Sequence, residues 1–126
     1  MNTYLFAVPL AAGKTETWKN YVKEILGPRF EEYKQSRKKA GIEGEQVYLQ
    51  QTPQGDMCVV KLKGNNPRES FEKLMKSSDP FDKWFRDKIL IDAHGLDISK
   101  PMPENQCFLD YHETTQREKA EAMRTR

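Results

Sequence analysis

Cysteine and histidine are both scarce in this chain, with two of each in 126 residues. Cys58 and Cys107 lie far apart, so there is no CxxC redox or zinc signature. His94 and His112 show no ligand spacing such as His-x3-His, so no metal site is expected, and no cofactor is implied. A long apolar run is also missing: no window approaches the roughly 18 residues that a membrane span needs. The start, Met1-Asn2-Thr3, has no basic n-region, and Pro9 breaks the apolar run of residues 5–12, so no secretory signal is expected. Nor is there an excess of one charge. Against 21 basic residues stand 19 acidic ones, a net charge of +2, which supplies no broad field for nucleic acid or an anionic membrane. The expectation is a reduced, cytoplasmic protein, with neither nucleic acid nor membrane as a partner.

A further absence decides the most suggestive motif. The segment YLFAVPLAAGKTETW (residues 4–18) runs from an apolar strand through a loop into Gly13-Lys14-Thr15 and a helix, the order of a nucleotide-binding P-loop. That loop requires a first glycine five positions before Gly13, so that backbone amides can wrap the phosphates. The position holds Val8, and Pro9 removes one more amide. The segment is therefore read as a helix start with Thr15 as its cap. RNA-recognition domains share the topology derived below, but they stack bases on aromatics of the third strand. Here that strand reads DMCVVKLKG, without an aromatic.

What is present is well punctuated. Residues 3–9 form an aromatic, β-branched strand closed by Pro9. Trp18, Val22, Ile25, Leu26, Phe30 and Tyr33 recur every three or four residues, a helical period that Gly27-Pro28 should kink or break. The run EQVYLQQTPQGDMCVVKLKG predicts a hairpin, with strands at 45–52 and 56–63 and a Pro-Gln-Gly turn. Asn66-Pro67-Arg68-Glu69 and Asp79-Pro80 each place a capping residue before a proline at the first helical position. The first of these helices buries Phe71, Leu74 and Met75. The second carries Phe81, Trp84, Phe85, Ile89 and Leu90 and stops at Gly95. Residues 105–112 (NQCFLDYH) predict a last strand.

The order is β-α-β-β-α(α)-β: a ferredoxin-like α+β sandwich with a four-stranded antiparallel sheet in the order 4-1-3-2. One domain spans residues 1–112, and the polar remainder, 113–126, is a tail. Cys58 and Cys107 would then stand about 10 Å apart, too far for a disulfide, and both read as small core residues. Alternation assigns Leu5, Ala7, Val47, Leu49, Cys58, Val60, Leu62, Cys107, Leu109 and Tyr111 to the helix-covered face. The other face would carry Tyr4, Phe6, Val8, Tyr48, Met57, Val59 and Phe108. So large an apolar surface is expected to be covered by a second copy of the chain, as a homodimer joined through the sheet.

Of the residues able to do chemistry, His94 is the candidate acid or base, since histidine titrates near neutral pH. Its position in the last helical turn gives it a structural alternative, capping carbonyls at the negative end of the helix dipole. Tyr4, Phe6, Tyr48, Trp84 and Phe108 are the candidate ligand-binding residues, with the Tyr48 phenol as the expected companion of His94. Asp82, Arg86 and Asp87 read as a solvated helix face.

The block DPFDKWFRDKILIDAHGLDI (79–98), behind VYLQQTPQGDMCVVKLKG (47–64) and GKTETW (13–18), resembles a bacterial family of uncharacterised proteins. That family looks like part of the dimeric α+β barrel superfamily, which includes antibiotic-biosynthesis-type monooxygenases, stress-responsive barrel proteins and muconolactone isomerase. The resemblance covers residues 3–112. It implies a homodimer with a pocket between each sheet and its helices, or within the barrel. Some of those monooxygenases act without a cofactor, using an Asn, a Trp and a His. Trp84 and His94 compare with the last two, whereas Asn66 and Asn105 do not match the first. Two readings stand: a binding protein for a small hydrophobic or aromatic molecule without catalysis, or a cofactor-independent monooxygenase or isomerase with His94 as acid or base.

Overall fold

The computed structural model describes residues 1–113. Strand β1 (Asn2–Pro9) leads through a short loop into α1 (Thr15–Leu26) and α2 (Phe30–Ala40). The hairpin β2 (Ile42–Thr52) and β3 (Gly55–Gly64) follows, then α3 (Pro67–Lys76) and α4 (Pro80–Phe85). Helix α4 continues as a π-helical stretch over Arg86–Ala93. The fold class is α+β: a three-stranded antiparallel sheet, order β1-β3-β2, with the helices packed on it.

Local chemistry accounts for the helix boundaries. Gly27-Pro28 separates α1 from α2, as expected of a residue pair that cannot continue an amide ladder. Helix α2 starts with Glu31 and Glu32 and ends with Arg37, Lys38 and Lys39, which complements its dipole. It closes on Gly41 at φ +87°, whose N–H reaches back to the Arg37 and Lys38 carbonyls. At α4 the expected cap is present, with the Asp79 carboxylate accepting from the Phe81 amide at 2.9 Å, a contact worth about 1 kcal/mol. Two other caps differ. Thr15 is the first residue of α1, and its hydroxyl donates to Asp56 instead of accepting from a backbone N–H of the helix. The Asn66 side chain donates to Glu69 Oε2 at 2.6 Å instead of accepting from the backbone.

The sheet departs from expectation in two ways. First, the phase of β1 is inverted. Tyr4, Phe6 and Val8 pair with Leu62, Val60 and Cys58, so they share the face that the helices cover, and Leu5 and Ala7 face outward. Both phases of this strand are apolar, so alternation sets the period without choosing the side; the larger rings bury more area and go inward. Second, residues 105–112 form no strand. The preceding segment does approach the outer edge of β1: the Tyr4 hydroxyl donates to the Pro103 carbonyl at 2.6 Å, and the Asn105 amide bonds both the N–H and the C=O of Leu5 at 2.9 Å. Pro101 and Pro103 have no N–H to extend a ladder, and the Asn105 side chain occupies the edge where backbone would pair. Beyond it Cys107 is exposed, as are Phe108 (92%), Leu109 and Tyr111, so none of these is a core residue.

Cys58, Val60 and Leu62 of β3, together with Val47 and Leu49 of β2, face the helices as expected. All but Val47, which is 42% exposed, pack with Trp18, Ile25, Phe71, Leu74 and Phe81 into one core. Asp82 and Arg86 correct the expected solvated face. Asp82 is buried and accepts from Ser36, and Arg86 donates to the Leu74 and Ser77 carbonyls at 2.7 Å, closing the end of α3. The expected polar tail, Glu113 apart, lies outside the described residues. Among the described residues no helix is long and apolar enough to cross a membrane.

Candidate functional site

Between the sheet and α1 lies a cavity of about 240 Å³. Phe6, Val8, Val47 and Val60 form its floor, and Trp18, Val22 and Ile25 its helical wall. Phe85 at the end of α4, with Ile89 and Leu90 of the π-helical stretch, adds to the lining. Leu26 (65% exposed) and Val47 (42%) are the lining residues that reach solvent, which puts the mouth between the end of α1 and β2. Three polar side chains with titratable groups line an otherwise apolar interior: His94, Tyr33 and Glu45.

His94 owes its position to the π-helical stretch. Its amide bonds the Ile89 carbonyl, five residues back, at 3.2 Å. The wider turn changes the angular spacing of Ile89, Leu90 and His94 from the α-helical one, and all three face the cavity. Leu96 N–H to Leu90 O (2.8 Å) and Gly95 at φ +66° then end the helix in a Schellman-like turn. The ring is buried, and Nδ1 lies 3.0 Å from the Pro9 carbonyl. A carbonyl only accepts, so Nδ1 carries the proton and Nε2 offers a lone pair. Burial lowers the imidazole pKa below its ordinary value, partly opposed by the Pro9 bond. The expected helix-capping role is thus absent, because the ring bonds the end of β1. Asp92, two residues earlier, faces the other way, toward Lys14 (3.1 Å) and Tyr21 (3.2 Å).

Glu45 reaches the interior because of a β-bulge. Ile42 pairs with Gly64 and Gly44 with Lys63, leaving Glu43 as the extra residue. That shift turns 45, 47 and 49 inward in place of 44, 46 and 48. Gly64 is required opposite, since a Cβ there would sit 2.5 Å from the Gly41 carbonyl. The Glu45 Oε1 atom accepts from Arg37 Nε at 2.7 Å and from the Tyr33 hydroxyl at 2.9 Å. Arg37 is buried between the rings of Tyr33 and Phe85, 4.7 and 4.4 Å from its guanidinium carbon. It also donates to Ser36, which donates on to Asp82. Burial, then the Glu45 charge, raise the Tyr33 phenol far above its ordinary range. Burial acts to lower the Arg37 pKa, but Glu45 outweighs it and the group stays charged.

Of the six residues singled out from sequence, the structure brings Phe6 and His94 together. Tyr4 lies buried beside Phe6, with ring centroids 5.8 Å apart, and its hydroxyl goes to Pro103. Trp84 packs on Tyr21, Phe81 and Arg29 away from the cavity lining. Tyr48 and Phe108 are exposed, and Tyr48 lies on the opposite face of the sheet, so it is not the companion of His94. Tyr33 and Glu45 are the polar residues that sequence reading missed. An inward Glu on a strand beside a basic helix end was the available signal. Among the described residues no three metal-ligating side chains come together. Comparison with protein-family models, curated proteins and solved structures finds no match.

Proposed function

We propose that the protein binds a small hydrophobic or aromatic molecule in the cavity between sheet and helices. The observation that carries this reading is the cavity itself: about 240 Å³, mostly apolar, with a few convergent polar groups and a mouth at Leu26 and Val47. Ligand sites commonly have this composition. The test is calorimetric titration with 2,6-dimethylnaphthalene against the wild type and Val47→Trp. Val47 is partly exposed, so the larger ring blocks the mouth at little cost to the core. Saturable binding that the variant loses supports the reading; unchanged binding to Val47→Trp places the ligand elsewhere.

A second reading has one observation in its favour. His94 is held neutral, with Nδ1–H tied to Pro9 and Nε2 free to take a proton, the state a general base needs. On this reading the chain is a cofactor-independent monooxygenase or isomerase on an aromatic substrate, with His94 as acid or base.

The same proposal includes a homodimer, as in the dimeric α+β barrel superfamily. The outer sheet face presents Leu5, Ala7, Tyr48, Met57 and Val59, with Leu5 48% and Tyr48 56% exposed, a patch suited to pairing with its own copy. Light scattering on a sizing column decides this: twice the mass of the 126-residue chain supports it, and the single mass refutes it.

A further inference from the structure

His94, Tyr33 and Glu45 present the cavity with one hydrogen-bonding sense, that of acceptors. At one end is His94. Its proton sits on Nδ1, bonded to Pro9, and nothing among the described residues bonds Nε2, which therefore presents a lone pair. At the other end is Glu45, whose two hydrogen bonds both fall on Oε1, so that among the described residues Oε2 remains an unbonded acceptor. The Tyr33 hydroxyl has committed its hydrogen to Glu45, so only its oxygen lone pair remains. The Trp18 indole N–H is the one uncommitted donor among the lining side chains. Strand register separates the two ends. Glu45 stands opposite Leu62, and Pro9, which holds His94, stands opposite Met57, five residues along β3, or roughly 17 Å along the strand.

We propose that the cavity selects elongated molecules carrying an O–H or N–H donor at each end, and rejects those that end in carboxylates. This specificity rests on the ligand-binding reading above and deepens it. A donor at each end satisfies Nε2 and Oε2 together. A methyl group in the same place leaves two desolvated acceptors unpaired, and a carboxylate sets negative charge against Glu45 and the His94 lone pair. Discrimination of this kind is large when a site is built to bond a polar group, because the group left without a partner stays desolvated.

The experiment is a titration of the wild-type chain at pH 7.5, by calorimetry, with four probes of one shape: 2,6-dihydroxynaphthalene, 2,6-diaminonaphthalene, 2,6-dimethylnaphthalene and naphthalene-2,6-dicarboxylate. The diol and diamine are expected to bind at least tenfold more tightly than the dimethyl compound, and the dicarboxylate at least tenfold more weakly. In His94→Leu the advantage of the diol shrinks at least threefold while the dimethyl affinity holds. If that variant does not fold, the wild-type series decides alone. Equal binding of the diol and dimethyl probes, or tightest binding of the dicarboxylate, overturns the proposal and leaves the binding reading standing. No binding by any of the four overturns both.

Discussion

Replacing Glu45 by glutamine tests the electrostatics that hold the cavity wall. The carboxylate accepts from Arg37 and Tyr33, and the side chains of the ion pair are 6% exposed for Arg37 and 10% for Glu45. At that burial solvent screens little, and removing one partner leaves a charge in the interior. The usual cost of such a break is about 3–5 kcal/mol. Arg37 keeps its bond to Ser36 and its two aromatic neighbours, and a glutamine oxygen still accepts one bond, so the lower end applies. Glu45→Gln should therefore lose about 3 kcal/mol, roughly a hundredfold in the unfolding equilibrium. The double variant Arg37→Met/Glu45→Leu removes both charges and fills similar volume; it should regain most of the loss, because apolar replacements of buried pairs are often near neutral. Arg37 Nη2, buried with no hydrogen-bond partner among the described residues, sharpens the contrast, since the methionine removes that donor as well. Urea denaturation followed by circular dichroism, with equal m-values across the three proteins, measures both differences. A loss below about 1 kcal/mol in Glu45→Gln, or a double variant weaker than the single, would refute the account.

Two further expectations follow from the titratable groups. The folded pKa of His94 lies below its ordinary value, so the unfolded chain binds a proton first as pH falls. Stability is complete above about pH 6.5 and declines below it, by at most about 1.4 kcal/mol per pH unit, until the folded pKa is reached. Denaturation midpoints between pH 7.5 and 5 should show this decline in the wild type and lack the His94 part of it in His94→Gln; identical profiles would refute it. Burial, then the nearby Asp56, push the Cys58 thiol up to about 11, and the residue is fully buried. Ellman's reagent should therefore titrate one thiol, Cys107, in the folded protein and two in urea; two fast thiols without urea would contradict this.

How much was legible in the sequence depends on the kind of signal. The Gly27-Pro28 break, the hairpin and the Asp79 cap followed from residues whose backbone preferences act locally, and each is in place. Leu62, Cys58 and Val60 followed from alternation in a strand whose other phase is interrupted by Lys61 and Lys63. β1 has two apolar phases, so its orientation depended on what β3 and the helices offer, which no local pattern encodes. The fourth strand failed for a related reason: residues 105–112 have the composition of a strand, while Pro101, Pro103 and the Asn105 amide at the edge of β1 govern how the chain approaches the sheet.

The cavity was illegible for a more specific reason: both of its polar ends depend on an irregularity. A regular strand from Ile42 would send Gly44, Gln46 and Tyr48 inward, against the apolar alternation of Val47 and Leu49. The single extra residue at Glu43 reverses the parity and delivers Glu45 instead. A regular helix through residue 94 would bond the His94 amide to Leu90; the π turn bonds it to Ile89 and sets the ring against Pro9. Neither irregularity gains stability from its own hydrogen bonds, and each leaves backbone geometry worse than the regular element would. What both have in common is the outcome: an acceptor turned into an apolar cavity. Alternation and the helical period describe regular elements, so two departures from them that meet in one space leave no local pattern to read.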